Sequence, residues 1–305
     1  MCHTLPAIEL ARVEHAFTLE VSKAAQDFMA TTDSGVDLLG VHGHTLLHLP
    51  AIQRSWQLVN GGLLAEMTGI PVVTDFRNQD LAVGGRGTPM AVLVDKDLFP
   101  GYDYYLNLGG IANLSRSDNA GWTAYDLCPC NQLLNHLAKQ IGKKYDDKGQ
   151  MAETGSLHTP LLQALLSDPY LARPAPKALD NSHPREWNKR IDAYSELSVA
   201  DKLRTVVEYI ATVLSDNLEA KRSLCMVTGG GAYNDYLIRS VRAKLNHKEL
   251  TLELPSKEII DYKEAILIAY AAYLRYQRLP NFVSTATGAR QDVMGGGLYL
   301  NASHA

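Results

Sequence analysis

The chain has 305 residues, of which 46% are hydrophobic and 20% charged, and its formal net charge is −4. That is an ordinary soluble globular balance, and without a basic stripe it excludes nucleic acid and anionic membrane as partners. No apolar run reaches the roughly 18 residues of a membrane span, and the opening MCHTLPAIELARVEH has no basic block followed by an apolar one. The four cysteines, Cys2, Cys128, Cys130 and Cys225, show no paired spacing. A reducing cytoplasm is the expected home. A chain of this length buries about three quarters of its unfolded surface and usually divides into two domains.

Residues 7–30 predict an amphipathic helix, with Leu10, Val13, Phe17, Val21, Ala24 and Phe28 at helical spacing and Pro6 suited to the first turn. VDLLGVHG (36–43) predicts a buried strand. LLAEMTG (63–69) predicts a helix closed by Gly69, and IPVVTDF (70–76) the next strand. This alternation argues for an α/β layer. AVGGRGTP (82–89) is a glycine- and proline-rich loop.

A second unit begins near Tyr104. YYLNLGGIANLS (104–115) predicts a β-hairpin turning at Gly109 and Gly110, and WTAYD (122–126) another strand. CNQLLNHLAKQIG (130–142) predicts a helix with a glycine cap. Residues 168–191 predict a long loop, and 196–218 a long amphipathic helix. LCMVTGGGAYN (224–234) predicts a buried strand opening into a glycine loop before a helix. KEAILIAYAAYLRY (263–276) predicts a nearly all-apolar, internal helix.

Several stretches carry chemistry, each with a plainer alternative. Adjacent Gly109 and Gly110 let backbone N–H groups approach an anion, or simply form a turn. VTGGGAYN (227–234) puts bare backbone at the carboxyl end of a strand beside a helix start, which suits a nucleotide. There is no GxxxxGK[ST] loop and no complete GxGxxG. Asp126, in AYDLCPCN, is either a general base at a strand end or a helix N-cap. Cys128-x-Cys130 is a poor zinc signal. In HGHTLLH (42–48), His42 and His44 share one face of an extended segment; hydrogen bonding in a polar cleft outweighs metal ligation there. In TDFRNQD (74–80), Asp75 and Arg77 project to one side and either bind a polar ligand or pair with each other. Glu264 stands at the head of an apolar helix, where a glutamate usually offsets the dipole. No metal site is expected.

The set GVHGHT, TGIPVVTDFR, GGRGTP, LNLGGIANLS, AYDLCPCN, YDDKG, LLSDPYLARPAPK, TGGGAYN, EAILIAYAAY and LPNFVSTATGA runs in order from about residue 36 to the end. In that order it resembles the anhydro-N-acetylmuramic acid kinase family. The resemblance implies an α/β, two-domain actin-like ATPase (ribonuclease H-like) fold with a central interdomain cleft. Residues 1–101 with 283–305 are expected to form an incomplete, sugar-side domain I, and 102–282 domain II.

The resemblance also implies an ATP- and Mg²⁺-dependent kinase. It opens the 1,6-anhydro ring with water and phosphorylates O6, giving N-acetylmuramic acid 6-phosphate in cell-wall recycling. Partners are then the amino sugar, ATP and a second copy in a homodimer. Asp126 matches the family's catalytic base; Gly109, Gly110 and Asn113 its phosphate hairpin; Gly229, Gly230, Gly231 and Asn234 its adenosine loop. His42, Asp75, Arg77 and Glu264 match positions around the sugar.

Three departures stand out. A family-type GTSxDG phosphate loop is not among these residues, so weak or no turnover is expected of the 305 residues alone. DTGPGN is DLCPCN here, and DFRRRD is DFRNQD. The alternatives are a non-catalytic sugar- or nucleotide-binding relative, or a kinase for another amino sugar.

Overall fold

A computed structural model describes residues 6–301 apart from 176, 180–182 and 220–221, so Cys2 lies outside the described residues. The chain divides into two compact units, Met1–Leu98 with Glu264–Ala305, and Phe99–Lys263.

The first unit opens with α1 (Ala7–Met29), as expected, and the Pro6 carbonyl accepts from the Glu9 and Leu10 N–H groups. The predicted apolar stripe is not what α1 buries. Thr18 and Ser22 are buried, whereas Val13, Ala24 and Phe28 are exposed. The buried Thr18 hydroxyl donates to the Glu14 carbonyl at 2.8 Å and accepts from the Asn60 N–H at 3.0 Å, so its burial is offset by satisfied hydrogen bonds.

The chain continues through β1 (Leu39–Gly40), β2 (His44–Leu49), β3 (Arg54–Leu58), α2 (Gly61–Thr68), β4 (Val72–Thr74), α3 (Asn78–Ala82) and α4 (Val92–Asp97). The strand expected over 36–43 is only two residues long, and Gly43 at φ +75° turns the chain before β2. β2 and β3 then form a separate hairpin. Asn60 caps α2 by accepting from the Leu63 N–H, and Gly69 at φ +72° ends it.

The second unit contains β5 (Tyr104–Leu108), β6 (Ile111–Asp118), β7 (Gly121–Pro129), α5 (Asn131–Lys139), α6 (Gln150–Thr154), α7 (Thr159–Leu166), α8 (His183–Asp192), α9 (Val199–Asp216), β8 (Ser223–Thr228), α10 (Asp235–Leu245) and β9 (Leu250–Glu253). Its sheet runs β7-β6-β5-β8-β9. The first three strands are antiparallel neighbours, and β8 and β9 continue parallel to β5. Leu106, Leu108 and Leu114 of the sheet share a core with Leu203, Val206, Ile210 and Leu214 of α9. The mixed α/β class expected from the alternating elements is the one observed.

Helix α8 replaces part of the loop expected over 168–191. Polar residues at most positions hid its signal, but Trp187 and Ile191, four apart, fall on one face and are 1% and 0% exposed. Trp187→Ala removes that anchor. A stability loss of about 3–5 kcal/mol is expected in urea unfolding.

The chain ends with α11 (Lys257–Tyr276), α12 (Ser284–Thr287) and β10 (Gly297–Tyr299), which pairs antiparallel with β4. The helix predicted over 263–276 starts six residues earlier, and it is not internal all round. Leu267, Ala271, Ala272 and Leu274 are buried, but Ala265, Ala269, Tyr273 and Tyr276 are exposed. Residues 264–282, expected in the second domain, group with the first unit. The reason is local: at Gly40 of β1 an added Cβ would lie 2.8 Å from Ala272 Cβ and from the Ile268 carbonyl oxygen. Only glycine lets β1 pack this closely on α11.

Candidate functional site

In the second unit, β5 and β8 run parallel with Asn107 opposite Thr228, so the turns that follow them emerge side by side. After β5 come Gly109 and Gly110; after β8 come Gly229, Gly230 and Gly231. Neither hairpin glycine adopts a left-handed φ. Close approach favours glycine at the second of them: a Cβ on Gly110 would lie 3.0 Å from Gln132 Cγ. The Gly110 carbonyl accepts from the Cys130 N–H at 2.8 Å and the Gln132 N–H at 3.1 Å, and the Gly109 carbonyl from the Asn131 N–H at 3.2 Å. The first amides of α5 are therefore spent on the hairpin carbonyls.

Gly229 sits at φ 82°, ψ 167°, a region that is essentially glycine's alone. A Cβ there would lie 2.4 Å from Asn107 Oδ1, and one on Gly231 would lie 2.6 Å from Leu108 Cβ. Asn131 donates through Nδ2 to the Leu108 carbonyl at 2.9 Å and lies against Gly230 and Gly231. The two glycine turns form one tightly stacked patch of bare backbone.

Asn234 closes the second turn. Its Oδ1 accepts from the Leu237 N–H at 2.9 Å, which makes it the N-cap of α10. Gly149 comes so close that a Cβ there would lie 2.2 Å from Asn234 Oδ1. Beside the loop is a half-open cavity of about 230 Å³ lined by Ala232, Asp235, Ile238, Arg239, Arg242 and Leu254. Arg239 pairs with Glu153 and Arg242 with the Leu252 carbonyl, so both guanidiniums already have partners.

Asp126 lies on β7, opposite Asn113 on β6 and next to a bulge at Ala112 and Asn113. It is not an N-cap; α5 begins at Asn131, behind Cys130. Its Oδ2 accepts from the Leu179 N–H at 2.9 Å, its N–H donates to the Lys177 carbonyl at 3.0 Å, and its carbonyl accepts from Tyr170 Oη at 2.8 Å. Burial pushes the Asp126 carboxyl above the usual carboxylate range, and the Leu179 N–H partly opposes this. Cys128 and Cys130 are buried free thiols. Burial pushes both up, Cys130 to about 12, so both stay protonated and unreactive near neutral pH.

The first unit gathers another polar set. Arg77 Nε donates to His42 Nε2 at 3.0 Å, so His42 Nδ1 carries the proton that it donates to the Gly43 carbonyl at 2.9 Å. Burial and then the charge on Arg77 push His42 down, and the same two causes act on His48. His44 is exposed on β2, whereas His42 is half-buried against Arg77.

Asp75 and Arg77 do not turn to each other. Asp75, at φ +54°, accepts from Asn78 Nδ2 at 2.5 Å, while Arg77 faces His42. Burial pushes Asp75 up, against the opposing pull of Asn78 and then Arg54. Glu264 is exposed within α11, seven residues after its start, and so is not at the helix head.

His42 gives a pH prediction. Its folded value lies below 6.5, so an unfolded chain takes up the proton first as pH falls. Stability contributed by neutral His42 is therefore present above 6.5 and lost as pH drops below it. His42→Gln is expected to lose less stability than the parent between pH 7.5 and 5.5 in urea titrations.

Sequence reading missed Asp80. This fully buried carboxylate accepts from the Gly87 N–H at 2.7 Å and from Thr287 Oγ1 at 2.7 Å. A Cβ on Gly85 would fall 2.1 Å from its Oδ2. Asp80 thus shapes the glycine loop 83–88, with Arg86 Nη2 donating to the Ala286 carbonyl. One partner, Thr287, stands about two hundred residues away, beyond any local pattern.

The family model for anhydro-N-acetylmuramic acid kinase matches residues 3–301. The chain belongs to the anhydro-N-acetylmuramic acid kinase family. A kinase of that name from Burkholderia lata is 34% identical over 280 residues, covering 86% of this chain and 72% of its own. One from Ruegeria sp. is 33% identical over 298 residues, covering 92% and 78%, and one from Pasteurella multocida 33% over 307 residues, covering 95% and 81%. Among solved structures, the activator of 2-hydroxyisocaproyl-CoA dehydratase from Clostridium difficile with bound ADPNP has a TM-score of 0.40, at 14% identity and 68% coverage of each chain.

Proposed function

We propose that this chain is an ATP-dependent kinase that hydrolytically opens anhydro-N-acetylmuramic acid and phosphorylates O6, yielding N-acetylmuramic acid 6-phosphate. Family membership supports the reaction class, and the geometry around Asp126 carries the assignment of its base. One carboxylate oxygen is held by the Leu179 N–H, and burial raises its basicity toward that of a general base. Asp126 takes a proton from water as the water oxygen bonds to the anomeric carbon. The anomeric carbon–O6 bond breaks, O6 bonds to the γ-phosphorus, and the bond to ADP breaks.

The paired turns at Gly109–Gly110 and Gly229–Gly231 fit a phosphate chain, because side chains there would fill the space at the two strand ends. Asn113 stands beside the hairpin, and Asn234 fixes the glycine loop against α10. Magnesium bound with ATP neutralises phosphate charge. His42, Asp75, Arg77 and Glu264 are assigned to the sugar. His42 holds Arg77 through Nε, and the other N–H groups of the guanidinium can donate to hydroxyl or carboxylate oxygens. The setting proposed is cytoplasmic cell-wall recycling, with a homodimer as the working form.

Mass-spectrometric detection of N-acetylmuramic acid 6-phosphate from MgATP and the anhydro sugar tests the proposal. Phosphorylation of a different amino sugar alone would reassign the substrate. Sugar and nucleotide binding with no product would leave a binding protein.

A further inference from the structure

We infer that Lys177 and Tyr170 are positioning residues for Asp126, acting through the backbone of the segment that carries Leu179. The inference rests on Asp126 being the base proposed above. Three hydrogen bonds join Asp126 to this segment, one from each part of the residue. The N–H goes to the Lys177 carbonyl, the carbonyl receives Tyr170 Oη, and Oδ2 receives the Leu179 N–H. A strand carboxylate held only by β-ladder bonds keeps its side-chain torsion free. Here the Leu179 amide selects Oδ2 and leaves Oδ1 as the proton-accepting oxygen.

What keeps the segment folded is Lys177. Its Nζ donates to the Leu171 carbonyl at 2.9 Å and the Tyr170 carbonyl at 3.3 Å, and stands 4.9 Å above the Tyr170 ring centre. Tyr170 is 1% exposed, so its hydroxyl reaches Asp126 from a fixed ring. The Tyr170 N–H is tied to Asp168 Oδ1 at 2.9 Å, and Asp168 pairs with Arg190 of α8 at 2.7 Å. The ammonium thus closes a loop of backbone whose far side, at Leu179, aims the carboxylate. Neither side chain reaches the Asp126 carboxylate, so both act indirectly.

The test is Lys177→Met against Lys177→Arg, with Tyr170→Phe as a milder variant that keeps the buried ring. The assay measures the single-turnover rate at saturating substrates, the half-saturating substrate concentrations, and hydrogen exchange at the Leu179 amide. Lys177→Met is expected to lower the rate about 10- to 100-fold, leave half-saturation within twofold and speed exchange at Leu179. Lys177→Arg should restore most of both. Tyr170→Phe should lower the rate about threefold to tenfold. An unchanged rate with Leu179 deprotected would overturn the inference, as would a rate loss with Leu179 still protected. Asp126→Asn run alongside separates the readings: a parental rate in that variant would remove the base assignment itself.

Discussion

Asp126→Asn lowers the single-turnover rate by about 10²–10⁴-fold and leaves ATP affinity within twofold. Asparagine keeps the shape of the side chain, and its Oδ1 can still accept from the Leu179 N–H. What it loses is the capacity to take a proton from water. Binding should survive because Asp126 sits on β7, and its backbone bonds to Lys177 and Tyr170 do not involve the carboxylate. Isothermal titration with ATP, beside the rate, separates the two effects. Loss of ATP binding in the variant would show that Asp126 serves the nucleotide instead.

Gly229→Ala destabilises the protein by about 3 kcal/mol and weakens ATP binding by at least about tenfold. Two costs add. The backbone at φ 82°, ψ 167° is strained for any L side chain. The new Cβ would also lie 2.4 Å from Asn107 Oδ1 and 2.8 Å from the Leu108 carbonyl carbon, which cannot yield without moving β5. Gly230→Ala is the contrast. Its Cβ would meet nothing closer than Asn131 Nδ2 at 3.7 Å, so the fold should tolerate it. Equal stability of the two variants in urea would mean that the turn relaxes easily.

Local pattern made the second unit largely legible. The hairpin, the Asp126 strand, the long helix α9 and the strand into three glycines stand where periodicity and turn residues put them. Local pattern failed where long-range packing decides. Helix α8 hides its anchor in two residues, Trp187 and Ile191, among polar ones. Helix α1 buries Thr18 and Ser22, small side chains of which Thr18 is satisfied by Glu14 and Asn60, while apolar side chains on the same helix face solvent.

The candidate site divides in the same way. Gly109, Gly110 and Gly229–Gly231 are visible as glycine clusters, and Asp126 as an acid on a strand, although β7 runs three residues past the predicted end to Pro129. Their supports are not visible, since Tyr170, Lys177 and Leu179 lie about fifty residues from Asp126. Asp75 and Arg77 looked like one pair by spacing; the fold gives each a different partner, Asn78 and His42.

The most direct test of the central claim is a single-turnover reaction. Protein in excess is incubated with MgATP and anhydro-N-acetylmuramic acid, quenched, and analysed by mass spectrometry. Excess protein makes a single catalytic cycle visible without turnover. The predicted result is ADP and N-acetylmuramic acid 6-phosphate in equal amounts, their formation slowed about 10²–10⁴-fold in Asp126→Asn. ADP without sugar phosphate, or no product from protein that binds both substrates, would contradict it.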